Sequence, residues 1–135
     1  MMQTRTFLLA AACLLPPLPA LGAGGVLEIN QTCAVETGCF AGDLAGYPIT
    51  IGASGSYQLT GNLTLPGENT TGIEVQAPYV DLDLGGFAIQ GPTTCATTGD
   101  PPRTACSPVG VGFGIIIAEP NSGCHIHDGA VAACP

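Results

Sequence analysis

The chain has no lysine and no tryptophan, and its only arginines among 135 residues are Arg5 and Arg103. Ten acidic residues oppose them, so the chain cannot neutralise a run of phosphates, and nucleic acid is excluded as a natural partner. Acidic polysaccharides fit poorly for the same reason. Charged residues make up only 9% of the sequence, against about 25% in an average domain. Gly, Thr, Ser, Asn and Pro fill the polar positions instead, a surface suited to neutral sugars, to cations, or to solubility outside the cell. Outside the first 23 residues no run carries helical periodicity over two turns, which predicts minimal helix. No CxxC pair is present, which disfavours a thiolate zinc site.

At the N-terminus Arg5 precedes an uncharged apolar run, Phe7 to Leu15, followed by prolines and the small-residue site Ala20-Leu21-Gly22-Ala23. This is the pattern of a secretory signal peptide over residues 1–23. The apolar run is shorter than the roughly 20 residues that span a bilayer, so no membrane span is expected. A lipoprotein start at Cys13 would leave almost no apolar region before it. The expected location is therefore secreted, periplasmic or cell-surface. Residues 24–135 have the length of one small domain.

Six cysteines remain beyond the leader: Cys33, Cys39, Cys95, Cys106, Cys124 and Cys134. An even number in an oxidising compartment predicts disulfides. Cys33 with Cys39 and Cys95 with Cys106 each close a short loop containing Gly or Pro, and the third expected pair is Cys124 with Cys134.

The organising feature is a repeat. Gly72 to Gly91 reads GIEVQAPYVDLDLGGFAIQG, in which Ile73 and Val75 alternate with polar neighbours, a proline corner follows, and Val80, Leu82 and Leu84 alternate with Asp81 and Asp83. From Gly114 the order returns: Gly114-Ile115 answers Gly72-Ile73, Pro120 answers Pro78, and Cys124-His125-Ile126-His127 answers Val80-Asp81-Leu82-Asp83. Period-2 alternation on a recurring unit describes stacked β-coils. Further strands are expected at Val26 to Ile29, Ile49 to Ile51, Tyr57 to Leu59 and Leu63 to Leu65. Thr93 to Pro108 interrupts the rhythm and is expected to be a disulfide-pinned loop between coils. The fold expected is all-β, a right-handed parallel β-helix of two to three coils with an N-terminal cap.

YQLTGNLTL, GIEVQAPYVDLDLGGFAI and the flanking cysteine loops resemble the N-terminal part of secreted bacterial right-handed parallel β-helix proteins of the pectate-lyase-like architecture. The resemblance covers about Val26 to Gly129. It implies that each coil buries its inward face against its neighbours, and that about three coils are needed for stability. The sequence stops at Ala133-Cys134-Pro135 without a recognisable capping element, which raises the expectation of a fragment. Enzymes of this architecture cleave or epimerise polysaccharides. Its lyases use Arg or Lys as base, and here Arg103 lies in the cysteine loop, out of register with any acidic pair. The hydrolases use clustered aspartates, for which Asp81 and Asp83 are the available pair.

The candidate functional residues come from stacking the two copies. Alternation places Asp81 and Asp83 on one outer face, and stacking at about 4.8 Å sets His125 and His127 above them. Two histidines at i and i+2 on a strand, with carboxylates alongside, are ligands for a divalent metal. Against this, Asp–His pairs on exposed strands more often form plain cross-strand ion pairs. Three functions are open at this point. They are a non-catalytic extracellular module, with carbohydrate as a partner; the N-terminal part of a polysaccharide-active enzyme; and an exported metal-binding protein. The glycines at 85–86 and 110–114 precede no helix or lysine and read as corner residues rather than a phosphate loop. Asn30, Asn62 and Asn69 lie in sequons and read as turn residues.

Overall fold

A computed structural model of the chain describes residues 25–118 and 120–132. The proposed signal peptide lies outside the described residues. No helix among the described residues is long and apolar enough to cross a membrane.

The first described elements are strand β1 (Leu27–Ile29) and helix α1 (Gln31–Glu36). Three coils then follow the same path. The first is β2 (Ile49–Ile51), β3 (Gly55–Leu59) and β4 (Leu63–Thr64). The second is β5 (Ile73–Val75), β6 (Val80–Asp83) and β7 (Ala88–Gln90). Next come β8 (Thr94–Thr98) and β9 (Arg103–Ser107). The third coil is β10 (Ile115–Ile117), β11 (His125–His127) and β12 (Ala130–Ala132).

Equivalent strands of successive coils pair in parallel and form three sheets: β1-β3-β6-β11 (sheet A), β2-β5-β10 (sheet B) and β4-β7-β12 (sheet C). This is the right-handed parallel β-helix. The first coil step takes about 25 residues, and the next is lengthened by the β8–β9 insertion. In-register stacking turns the alternation of each strand into continuous inward columns. Ile49, Ile73 and Ile115 form one, and Leu63, Ile89 and Val131 another. Tyr57 and Leu82 of sheet A are buried beside them. The core is therefore a stack of aliphatic layers, which suits a sequence poor in aromatics.

Tight corners need left-handed backbone. Gly85 and Gly86, with φ of 59° and 79°, turn the chain from sheet A to sheet C, a conformation that costs glycine little. Other glycines serve close approach between coils: a Cβ on Gly112 would strike the Thr70 backbone, and one on Gly129 would strike Leu84. Asn62 and Asn69 are more than turn residues. The Asn62 Oδ1 accepts from Ala88 N at 2.9 Å and the Asn69 Oδ1 from Val111 N at 3.2 Å, so each ties its corner to the next coil.

At the N-terminal end of the stack side chains meet the edges of β2 and β4. The Cys33–Cys39 segment, expected to be a disulfide loop, overlaps α1, whose N-cap Asn30 accepts from Cys33 N at 3.0 Å. Six residues are too few for apolar periodicity to register, so the cap and the Cys33–Cys39 bond define this helix rather than its pattern. Gln31 lies against the edge of β4, donating from Nε2 to Thr64 O at 3.4 Å and accepting from Thr64 N at 2.8 Å. Asp43, buried, accepts from Thr50 N and from Cys39 N, both at 2.9 Å, and so satisfies the edge of β2. Phe40 packs edge-on against Tyr57, with ring centroids 5.1 Å apart, and lids the core.

Two further expectations are corrected. The stretch Thr93 to Pro108 is not a loop but an antiparallel hairpin, β8 against β9, with Cys95 opposite Cys106 and bonded to it. Alternating Thr and small residues supply that pairing. Cys124 carries a free thiol, its Sγ 3.6 Å from Ala77 O, so it is not the disulfide partner expected; Cys134 lies outside the described residues.

Candidate metal centre

Sheet A positions the candidate site. The register sets His125 beside Asp81, Ile126 beside Leu82 and His127 beside Asp83, as the repeat alignment requires. One coil back, Ser56 aligns with Asp81 and Gln58 with Asp83. Leu82 faces the core, so alternation sends both carboxylates and both imidazoles to the outer surface.

Asp81 is the hub of the group. Its Oδ1 lies 3.2 Å from His125 Nδ1 and 3.4 Å from His127 Nε2. A tetrahedral zinc ion with arms of about 2.0–2.1 Å has neighbouring ligand atoms about 3.3 Å apart, so both separations match the edges of a zinc tetrahedron. The two imidazoles are tilted by 32° with centroids 4.8 Å apart, and the three ligand atoms all fall within 4.8 Å of one another. Asp81 and His125 are exposed and His127 is partly covered, which leaves the remaining coordination positions open to water.

Asp128, next to His127 in the chain, also has a defined place. Its Oδ2 lies 2.9 Å from His127 Nδ1. A proton held on Nδ1 by this bond leaves Nε2, the atom turned to Asp81, as the lone-pair donor; carboxylates commonly hold metal-binding imidazoles in this way. Asp128 adopts a positive φ of 55°, which aspartate tolerates better than most residues. The same contact, more than any other, raises the His127 pKa above its usual 6.5; burial opposes it, and the charges of Asp128, Asp81 and Asp83 add to it.

Asp83 is placed differently from the expectation. Its Oδ2 accepts from Gln58 Nε2 at 2.9 Å and its Oδ1 from Gly85 N at 2.7 Å. Its nearest approach to an imidazole is 3.8 Å, at His127 Nδ1, on the side away from Asp81. Asp83 therefore braces the glycine corner and adds negative charge behind His127. It belongs to a second group, Asp83–His127–Asp128, that shares His127 with the first. Arg103 is in the β8–β9 hairpin, where it aligns with Thr98.

A groove of about 390 Å³ runs along sheet B, bordered by Tyr47, Asn69, Thr71, Glu74, Phe113 and Ile116. It lies on a different sheet from the Asp–His group.

No family model matches the chain, and no curated protein or solved structure matches it. The architecture therefore stands on the strand register, and the site on its own geometry.

Proposed function

We propose that the chain is an exported, non-catalytic β-helix module that binds one divalent transition-metal ion, zinc above all, through Asp81, His125 and His127. The observation that carries this reading is the position of Asp81 Oδ1, at 3.2 and 3.4 Å from one nitrogen of each histidine, with Asp128 orienting His127 from behind. Two imidazoles and one carboxylate make a borderline donor set suited to zinc, and less to magnesium or calcium, which take oxygen. Export is supported by the leader pattern of residues 1–23 and by the disulfides Cys33–Cys39 and Cys95–Cys106.

Calorimetric titration of the metal-free protein with zinc tests the proposal. The expected result is one ion per chain, with binding lost in His125→Ala. Absence of binding, or binding that survives His125→Ala, overturns it.

The sheet B groove favours a second reading, recognition of a neutral oligosaccharide. Its volume falls in the range of small-ligand sites, and it sets two aromatic rings, Tyr47 and Phe113, beside the polar side chains of Asn69, Thr71 and Glu74. Retention on neutral glycans that is lost in Phe113→Ala supports this reading; equal retention removes it. The polysaccharide-cleaving alternative needs a free acid–base pair. Asp83, with both oxygens engaged by Gln58 and Gly85, weighs against it.

A further inference from the structure

The β8–β9 hairpin stands outside the coils. Every residue of its two strands is exposed, and the strands pair only with each other. The pairing ends with Thr98 opposite Arg103, so the tip is Gly99-Asp100-Pro101-Pro102, exposed at all its positions. The bond between Cys95 and Cys106 brackets this tip from both sides.

The tip holds the chain's one Asp–Pro bond, which brings an attacking group and a leaving group together. An aspartate side-chain carboxylate reaches its own main-chain carbonyl carbon through a five-membered ring, and such intramolecular attack gains from proximity. The proline nitrogen leaves as a secondary amine, more basic than the primary amine of other residues, so it departs more readily once protonated. Folding blocks this chemistry when it engages the carboxylate or fixes the backbone in an element. Asp43 accepts from Cys39 N and Thr50 N, Asp83 accepts from Gln58 Nε2 and Gly85 N, and Asp81 lies within β6. Asp100 sits in a turn, and its carboxylate has no hydrogen-bond or ion-pair partner among the described residues.

We infer that Asp100–Pro101 is a self-processing site, at which the folded chain cleaves itself in mildly acidic medium into two parts joined by Cys95–Cys106. One oxygen of the Asp100 side chain bonds to the Asp100 carbonyl carbon, closing a cyclic anhydride. The C–N bond to Pro101 breaks, and the nitrogen leaves as an amine that takes up a proton. One water then opens the anhydride, returning the side-chain carboxyl and creating an α-carboxyl at Asp100. One peptide bond and one water are consumed, and nothing is oxidised or reduced. Mild acid suits the step because ionised carboxylate and protons for the leaving nitrogen coexist there. The cut falls between Cys95 and Cys106, so the disulfide keeps both parts in one molecule. It also falls between coils, so β10, β11 and β12 stay paired with β5, β6 and β7 across it. Asp81 then belongs to one part and His125 and His127 to the other, with sheet pairing holding them together.

Mass spectrometry of the full chain incubated in mildly acidic buffer tests the inference, with circular dichroism checking the β fold at the same pH. Without reductant the mass should rise by one water. With reductant two parts should separate, one ending at Asp100 and the other beginning at Pro101. Asp100→Ala removes the attacking carboxylate and should abolish the cut; Pro101→Ala keeps it but worsens the leaving group and should slow the cut. Both positions are in an exposed turn, so the coils remain in either variant. A chain that stays whole while folded overturns the inference, as does a cut that appears only after the fold is lost. So does a cut that persists in Asp100→Ala, or cleavage as fast at the other aspartyl bonds.

Discussion

Asp81 Oδ1 lies between two imidazoles, and the nearer, His125 Nδ1, is 3.2 Å away although the residues are 44 positions apart in sequence. Parallel stacking makes this proximity automatic once the coils are in register. Asp81→Asn leaves the fold in place, because the side chain is exposed, but it replaces the anionic carboxylate that faces both histidines with a neutral amide, a much weaker metal ligand. Zinc affinity is expected to fall by more than the roughly 10–100-fold typical of a lost outer-sphere partner. Titration of the variant against wild type measures it.

Asp128→Asn separates orientation from ligation. The amide no longer carries the charge that holds the proton on His127 Nδ1, while Asp81, His125 and His127 all remain. The expected loss of zinc affinity is about 10–100-fold, smaller than for Asp81→Asn. Equal losses in the two variants would place Asp128 among the ligands.

The pH dependence of the metal-free protein follows from His127, whose pKa is raised in the folded state, first by the bond to Asp128. A raised folded pKa means that folding favours the protonated form. The stabilisation is fully present below the unfolded value near 6.5 and fades as pH rises through the folded value. Thermal melting in chelator should therefore show this contribution declining above pH 6.5, and Asp128→Asn should flatten the decline. Zinc binding should run the other way, strengthening as pH rises, because the metal requires the neutral imidazole.

The two disulfides are expected to differ in their effect on stability. Cys33–Cys39 pins the helix at the N-terminal end of the stack, so Cys33→Ser with Cys39→Ser should cost about 2–3 kcal/mol. Cys95–Cys106 joins the strands of an exposed hairpin that forms its own two-stranded sheet. Opening that hairpin leaves the coils intact, so Cys95→Ser with Cys106→Ser should shift the main melting transition little. Urea denaturation of both double variants distinguishes the cases.

Within the core, position along the stack sets the cost of a cavity. Ile73 is fully buried between Ile49 and Ile115, and Ile73→Ala should destabilise by about 2–5 kcal/mol. Ile115, in the outermost rung and only partly buried, should cost less than half of that. Urea midpoints of the two variants give the comparison.

The β-helix and its stacking of Asp81 on His125 were legible in the sequence because they rest on period-2 alternation that returns in the same order. Alternation dictates which side chains face inward, and a second copy with the same alternation dictates what lies above what. The strands Ile49–Ile51, Ile73–Val75 and Val80–Asp83 follow from that rule. Ala88–Gln90 did not stand out as a third strand of the coil, since three residues with one large aliphatic carry too little pattern.

Features that join residues distant in the chain and share no repeat were decided by the tertiary structure alone. The polar residues Gln31 and Asp43 gave no local sign that they would satisfy the edges of β4 and β2, since an edge exists only once the sheet is assembled. Asp83 and Asp81 are indistinguishable as alternating carboxylates, but the Gly85 corner and Gln58 take up one and leave the other free to face two histidines. The sequence by itself determined the coil, its inward columns and the polar composition of sheet A. Tertiary structure decided which side chains meet the edges of β2 and β4 and which aspartate meets the imidazoles, because edges, corners and the third dimension of the stack arise only when the coils are laid on one another.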